Sequence, residues 1–499
     1  MQDVLIHLGH GFLTVFQPIN IFVLMIGLVL GLLVAVLPGL TLVMGVVLAL
    51  PFTYKMGITP AVILLTAMYI TGTYGGAFTA ILFRIPGEPI DVPLLWDGHE
   101  MAKKGEPAKA LGWTLFAALA GGLVAAVVMV AASEPVAKIA LSFSAPEYFA
   151  LVFFGLASVV CLGGGSQVNA FISLFIGLLI ASVGVDGTYG IERFSFGIDT
   201  LRDGIEYLGV MVGAYGLGEV LSRLERGFTS PTLEKVGKIE TKLPSTAELM
   251  SVKGSFARSS ILGILIGIVP GAGATIASFL SYGVEAQYGR RRKEMGTGIA
   301  EGIVAPQAAA TASVGGAMIP LLTMGIPGSG ATAIILGAFM LQGVQPGPQV
   351  FVSQPDLIYA IFASVFVALI GMCLLGYFAI KALVKVLDFR EAAVSAFVVM
   401  FCFIGALAAR NNVNDLWTIV AFGAVGYLFE KFRFPIAPMV LGTILGPLAE
   451  NYFLTAMISA EGDWTTFFTR PVSLVLMLLS AVTLVFPTYR NWRESRAGG

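Results

Sequence analysis

Val36-Leu37-Pro38-Gly39-Leu40-Thr41 and Ile268-Val269-Pro270-Gly271-Ala272-Gly273 are the stretches that decide the fold. Each sets Pro-Gly inside an apolar run. Further along, Gly75-Gly76-Ala77 is followed by Ile85-Pro86-Gly87-Glu88, and Gly315-Gly316-Ala317 by Ile326-Pro327-Gly328-Ser329. These two closings align with a single-residue offset. Proline removes an N–H and glycine adds backbone freedom, so both interrupt helices. Two interruptions per half, at corresponding positions, make 31–89 and 263–348 a pair of internal repeats built on broken helices. In membrane carriers that pattern points to a binding site at the repeat interface.

The surrounding composition belongs to a membrane. Of 499 residues, 57% are hydrophobic and 12% charged, against roughly 25% charged in soluble domains. Apolar runs cover 19–37, 61–83, 111–132, 168–183, 357–380, 392–409 and 472–487. A span needs about 20 apolar residues, so about a dozen membrane segments are expected, some broken or re-entrant. The fold class is an all-α polytopic membrane protein in two inverted-topology repeats. Short alternating strands of a β-barrel are missing. A net charge of −1 and scattered basic residues argue against nucleic-acid binding. Cys161, Cys373 and Cys402 lie in apolar segments and read as small hydrophobes. The N-terminus shows neither a basic n-region nor a small-residue cleavage site.

Charge sets the expected organisation. Residues 1–220 form a first transmembrane repeat. Residues 221–258 are the longest polar connection and carry seven basic residues, Arg223 to Arg258, which the positive-inside rule places in the cytoplasm. Residues 259–470 form the second repeat, and 471–499 a terminal helix with a basic cytoplasmic tail. A second basic cluster, Arg290-Arg291-Arg292-Lys293, lies just beyond Pro270-Gly271. If both flanks are cytoplasmic, 259–285 enters and returns as a helical hairpin. Two arms of about 11–13 residues would reach roughly 16–20 Å, near the midplane of a ~30 Å core. The first stretch has few flanking charges, as expected for entry from the opposite side.

A helix that starts inside the membrane directs free N–H groups and a positive dipole end at its tip, which suits a carboxylate. Unwound backbone and small hydroxyls supply oxygen ligands to Na⁺. The candidate substrate- or ion-binding residues are Pro38, Gly39, Thr41, Gly75, Gly76, Thr79, Pro86 and Gly87 in the first stretch. In the second they are Pro270, Gly271, Gly273, Thr275, Gln307, Thr311, Pro327, Gly328 and Ser329. For any single hydroxyl or glycine the competing reading is tight helix packing. Repetition of the Pro-Gly motifs in matched positions argues against packing for the set. Glu88 reads as a cap on the next segment or a brace for its loop, with substrate contact the competing reading. Glu301 is either an intramembrane acid or a helix-start residue at the membrane edge. Arg410 reads as snorkelling to the headgroups, with anion binding the competing reading. His7 and His10 share a helix face, and with no further ligand nearby they read as the polar tips of an interfacial helix. Gly163-Gly164-Gly165 is not a phosphate loop, because no Lys-Ser/Thr follows it.

The chain resembles the large membrane subunit of the tripartite tricarboxylate transporters, the TctA-type family. The likeness rests on Leu37-Pro38-Gly39-Leu40, on 74–82 with Ile85-Pro86-Gly87-Glu88-Pro89, on Asp97-Gly98…Met101-Ala102…Gly105, and on Gly325-Ile326-Pro327-Gly328-Ser329, with Glu301-Gly302…Ala305-Pro306 weaker. The resemblance implies a bacterial inner-membrane secondary carrier for organic carboxylates, driven by a Na⁺ or H⁺ gradient without ATP or any organic cofactor. It also implies a small membrane subunit (TctB-type) and a periplasmic solute-binding protein (TctC-type). The chain departs from the family at 307–311. Members commonly have Ala-Pro-Glu and then an Asn pair, where this chain has Gln307 and then Ala310 and Thr311. That removes a titrating group and amide ligands.

A channel with glycine-rich re-entrant filter loops is the alternative. Filters usually come from several copies around an axis, and this chain carries two non-identical ones. No metal triad, His–Glu pair in an apolar segment or nucleotide motif supports an enzyme.

Overall fold

A computed structural model of the chain describes residues 2–37, 40–162, 166–186, 189–227, 241–378, 391–410 and 413–497. The described residues are helical apart from loops and one two-stranded hairpin. In chain order the helices begin α1 (Gln2–Val15), α2 (Pro18–Val36), α3 (Leu42–Thr53), α4 (Ile58–Gly75), α5 (Ala77–Phe83), α6 (Leu94–Lys103), α7 (Pro107–Ala140), α8 (Ala145–Leu162) and α9 (Gln167–Ala181). Strands β1 (Gly184–Val185) and β2 (Glu192–Arg193) pair antiparallel. They precede α10 (Asp199–Arg202), α11 (Tyr207–Met211), a π turn and α12 (Gly218–Arg226). Next come α13 (Thr246–Ile268), α14 (Gly273–Tyr288), α15 (Ala300–Met324), α16 (Gly330–Leu341), α17 (Val350–Ser353) and α18 (Pro355–Phe378). The chain closes with α19 (Glu391–Arg410), α20 (Asn414–Lys431), α21 (Ile436–Ser459), α22 (Thr466–Thr469) and α23 (Pro471–Ala497). Among the described residues, six helical segments are long and apolar enough to span a membrane, and seven shorter apolar helices join them. This is an all-α polytopic membrane protein.

Two compact units form. One takes Met1–Ala137 and Phe228–Ser395, the other Lys138–Gly227 and Ala396–Gly499. Each therefore draws on both halves of the chain. In the first unit α2 packs along α4, and α13 packs along α15. The apolar cores of α4–α5 and α15 are wholly enclosed by protein, whereas α2 and α13 keep a face outward. Gly31 lies against the Met68 carbonyl and Gly263 against the Ala309 carbonyl, with no room for a Cβ at either. Such small-residue contacts let membrane helices approach closely. Gly121 and Gly122 do the same for α7, against Ala308 and against Leu369 and Thr311.

The helices break where the sequence says they should, and for the expected reason. A proline drives the residue before it out of the helical region. Leu37 ends α2 at φ −76°, ψ 112°, and Val269 ends α13 at φ −77°, ψ 120°. The hairpin expected around Pro270-Gly271 is present. Arg258 on α13 and Glu285 on α14 form an ion pair at 2.6 Å across its open end. Its first arm is longer than expected. Ser245 and Glu248 form a capping box, with the Ser245 N–H donating to the Glu248 carboxylate at 2.9 Å. That cap starts α13 at Thr246, inside the stretch read as a polar connection. The arm is a 23-residue helix and not a half-helix. Measured from Arg258, the break still comes roughly 15 Å along.

Two further side-chain readings resolve as packing. The His7 ring stacks on Tyr359 at 5.2 Å, seating α1 on α18. Glu301 sits in the first turn of α15, paired with Arg291 at 3.4 Å, so the helix-start reading holds. The side chain of Arg410 and that of Cys161 lie outside the described residues.

In the second unit α8 packs on α23, α9 on α21, and the π turn at Val212–Leu217 on α20. Phe149, Phe453 and Phe467 form an aromatic cluster between these helices.

Candidate functional site

The candidate site is the meeting point of the two broken stretches within the first unit. Each closing loop leaves its helix through the same left-handed turn. Arg84 (φ 59°) ends α5 and Gly325 (φ 71°) ends α15. The next residue returns a hydrogen bond of the same type in both: Ile85 N–H to the Thr79 carbonyl and Ile326 N–H to the Pro320 carbonyl, each 3.2 Å. Two residues on, Gly87 lies against the Ala35 carbonyl and Gly76, while Gly328 lies against the Gly267 carbonyl and Ala317. Gly75 and Gly316 repeat the correspondence, against Leu32 and Ala35 in one half and Ile264 and Gly267 in the other. The repeat read from the sequence is thus a repeat of contacts.

The residues after each closing form a capping box in both halves, with different chemistry. In the first half, Glu88 N–H donates to Asp91 Oδ2 at 2.9 Å, and Glu88 also accepts from the Leu42 N–H. In the second, Ser329 N–H donates to Thr332 Oγ1 at 2.8 Å and Thr332 N–H donates to Ser329 Oγ at 3.2 Å. The bracing role read for Glu88 holds, because its carboxylate ties the closing loop to the start of α3. In the second half a backbone bond does that work, from Gly271 N–H to the Gly328 carbonyl at 3.1 Å. Gly271 (φ 80°) and Gly273 (φ 62°) adopt the left-handed conformation that glycine tolerates.

The halves reach into each other reciprocally. Helix α16, which follows the second closing, packs on α3, which follows the first break; the 3₁₀ turn Pro89–Asp91 after the first closing packs on α14 after the second break. Reciprocity of this kind is what a two-fold relation imposes. Ser278 donates to the Ile90 carbonyl at 2.8 Å, Gly330 faces Val43, and the buried Tyr69 hydroxyl bonds Ser329 Oγ at 3.0 Å.

Most of the sequence candidates gather here. Thr41 caps α3 by accepting from Met44 N–H at 3.2 Å. Thr79 donates to the Gly76 carbonyl at 2.9 Å, and Gly76 makes room for the Asp91 carboxylate. Pro86 is half-buried and Pro327 buried, each within its closing loop. Thr275 is half-buried in the first turn of α14, beyond the Pro270 break. Gln307 and Thr311 sit apart from the loops, inside α15. Gln307 donates to the Thr73 carbonyl at 3.0 Å and to Thr311 at 3.2 Å, so it fastens α15 to α4. Pro38 and Gly39 lie outside the described residues.

Sequence reasoning missed three residues. Tyr69 bridges the repeats from within a featureless apolar run. Asp91 gave one signal, its capping spacing from Glu88. Asp97, fully buried, accepts from the N–H groups of Gly296 (2.9 Å), Gly298 (2.8 Å) and Ile299 (2.9 Å) and from the Tyr282 hydroxyl (2.9 Å). It anchors the start of α15, whose far end carries the second closing. In the adjoining loop, hydrogen bonding to Arg291 holds the Glu294 carboxyl below its usual range.

A polytopic helical protein with two broken-helix repeats locked face to face has the architecture of a membrane transporter. The chain belongs to the tripartite tricarboxylate transporter TctA family, whose model matches residues 21–441. An uncharacterized 52.8 kDa protein in the TAR-I ttuC' 3'region of Agrobacterium vitis is 35% identical over 497 residues, covering 99% of both chains. An uncharacterized protein in the TAR-II ttuC' 3'region of the same organism is 37% identical over 234 residues, 47% of this chain and 97% of that one. No solved structure matches.

Proposed function

We propose that this chain is the large permease subunit of a binding-protein-dependent secondary transporter of the bacterial inner membrane. It imports di- or tricarboxylates by alternating access, as a symporter with Na⁺ or H⁺. It works with a TctB-type small membrane subunit and a TctC-type periplasmic binding protein. The observation that carries the reading is the reciprocal packing of the two broken stretches. The half-helices α14 and α16 begin at this junction and direct N–H groups toward it, which suits a substrate carboxylate. The Glu88 and Asp91 carboxylates and the surrounding hydroxyls and carbonyls are hard oxygen donors, which suit Na⁺ or a proton.

The test is uptake of labelled carboxylates into proteoliposomes holding this subunit and its small partner, with the binding protein added outside. Uptake that needs the binding protein and collapses with the ion gradient is expected. Uptake that persists without either would support a channel instead.

A further inference from the structure

The second unit is polarised along its own length. At one end α12 finishes at Arg226, which pairs with Glu430, while Lys431 pairs with Glu225 at 2.5 Å. There the chain enters the basic connection that contains Lys235, Lys238 and Lys242. Helices α20 and α21 link this end to the other. Their far parts carry Asn414 and Glu450, and the β1–β2 hairpin is fixed to Glu450 through Arg193 (2.5 and 3.1 Å).

The hairpin end is acidic. Residues 184–206 hold five acids and two arginines, and both arginines are engaged, Arg193 by Glu450 and more distantly Asp186, and Arg202 by Glu192 at 3.4 Å and Asp199 at 3.9 Å. Asp199, Asp203, Glu206 and Asp415 line a cavity of about 640 Å³ beside Trp417.

The same segment displays apolar side chains outward. Tyr189, Ile191, Phe194, Phe196 and Ile198 are all more than half exposed, with Phe196 at 83%. Phe194 (φ 51°) and Phe196 (φ 50°) hold left-handed backbone, which bulky L-residues avoid. The segment is nevertheless braced. Asp186 N–H donates to the Ile191 carbonyl, Gly190 N–H donates to the Asp186 carbonyl, and Tyr189 N–H donates to Asp186 Oδ2, each at 2.9 Å. Ser195 donates to Glu192. Non-helical backbone exposed in this way cannot lie in hydrocarbon. Aromatic side chains on a rigid, preformed surface are the usual anchors of protein interfaces. A lipid-anchoring surface carries lysine and arginine, and this one would be repelled by anionic headgroups.

We propose that residues 189–206, with the start of α20, form the landing surface for a soluble protein that presents basic side chains around an apolar centre. This rests on the reading above, in which a soluble binding protein delivers the substrate. Acidic residues around the aromatic centre steer a basic partner and fix its register.

The experiment titrates the binding protein outside proteoliposomes that hold this chain and its small partner. The wild type's need for the binding protein tests the carrier reading, and variants test the surface. Phe196→Asp should raise the half-saturating binding-protein concentration at least about tenfold, a loss of the size typical for a central interface aromatic. Maximal uptake should stay near wild type, which also reports a folded protein. Asp199→Lys should raise it less, and 0.5 M salt should shrink its difference from wild type because exposed charges are screened. Half-saturation unchanged in both variants would overturn the proposal. So would strong quenching of a Phe196→Trp variant by brominated phospholipids, which would place the rim in the bilayer. Wild-type uptake that ignores the binding protein would remove the carrier reading and this occupant together.

Discussion

The loop 85–91 and the loop 326–332 have the same backbone and different chemistry. Both leave a helix by a left-handed residue, both seat a glycine on a carbonyl of the preceding broken helix, and both close with a capping box. The first box is built from Glu88 and Asp91, the second from Ser329 and Thr332. Neighbouring residues have adjusted to match. Gly76 leaves space for the Asp91 carboxylate, whereas Ala317 stands at the corresponding place against Gly328. The scaffold is duplicated and the polar groups have diverged.

The comparison breaks first at the glycines. Gly87→Val and Gly328→Val each drive side-chain atoms into backbone, the Ala35 carbonyl in one half and the Gly267 carbonyl in the other. Backbone cannot give way cheaply, so each should cost about 3 kcal/mol or more, lower the thermal midpoint in detergent, and abolish uptake. If one variant retains wild-type stability and uptake, the two loops are not equivalent.

Next comes a contrast at the helix starts. Helix α4 begins at Gly57 without a side-chain cap, while α15 begins on the Asp97 cradle. Asp97→Ala leaves three N–H groups and the Tyr282 hydroxyl without that acceptor, and should cost about 2–3 kcal/mol. Asp97→Asn keeps one acceptor oxygen and should cost less. Equal midpoints for Ala and wild type would show that the cradle holds nothing.

The third change converts one loop into the other. In Glu88→Ser with Asp91→Thr the capping box survives in the form the second half already uses. The Leu42 N–H loses the Glu88 carboxylate, so stability should fall by about 1–2 kcal/mol, and gradient-driven uptake should be lost. Retained uptake would assign the two carboxylates to structure alone.

These contrasts also show how far the sequence reached. The breaks at Pro38 and Pro270 were legible because proline acts on its own neighbour, a purely local effect. The pairing of the closings was legible because the glycines that make it possible recur in the chain. Asp97 and Tyr69 were not. Their partners, near Gly296 and at Ser329, lie far away in sequence, and nothing local to either residue announces a distant hydrogen bond. The early start of α13 was hidden for another reason: its cap, Ser245 with Glu248, looks like ordinary linker polarity until the helix is seen to follow. Gln307 stood out as a departure from the family pattern, yet its amide is spent on the Thr73 carbonyl. The resemblance marked it as unusual without locating its partner.

The smallest expected effect tests the strictest part of the equivalence. Arg84 and Gly325 hold the same left-handed turn, at φ 59° and 71°. A residue with a Cβ pays roughly 1 kcal/mol there, and glycine does not. The Arg84 backbone N–H donates within the turn to the Thr79 carbonyl, and its side chain is exposed. Arg84→Gly should therefore keep the turn and relieve the strain, while the freer unfolded chain takes part of the gain back. The net should be about 0.5 kcal/mol of stabilisation, seen as a slightly higher thermal midpoint with uptake unchanged. A raised midpoint with uptake lost would mean that the first half holds an arginine in a glycine's place because the exposed guanidinium is needed for transport. The two loops would then differ in function at their first residue as well as at their last.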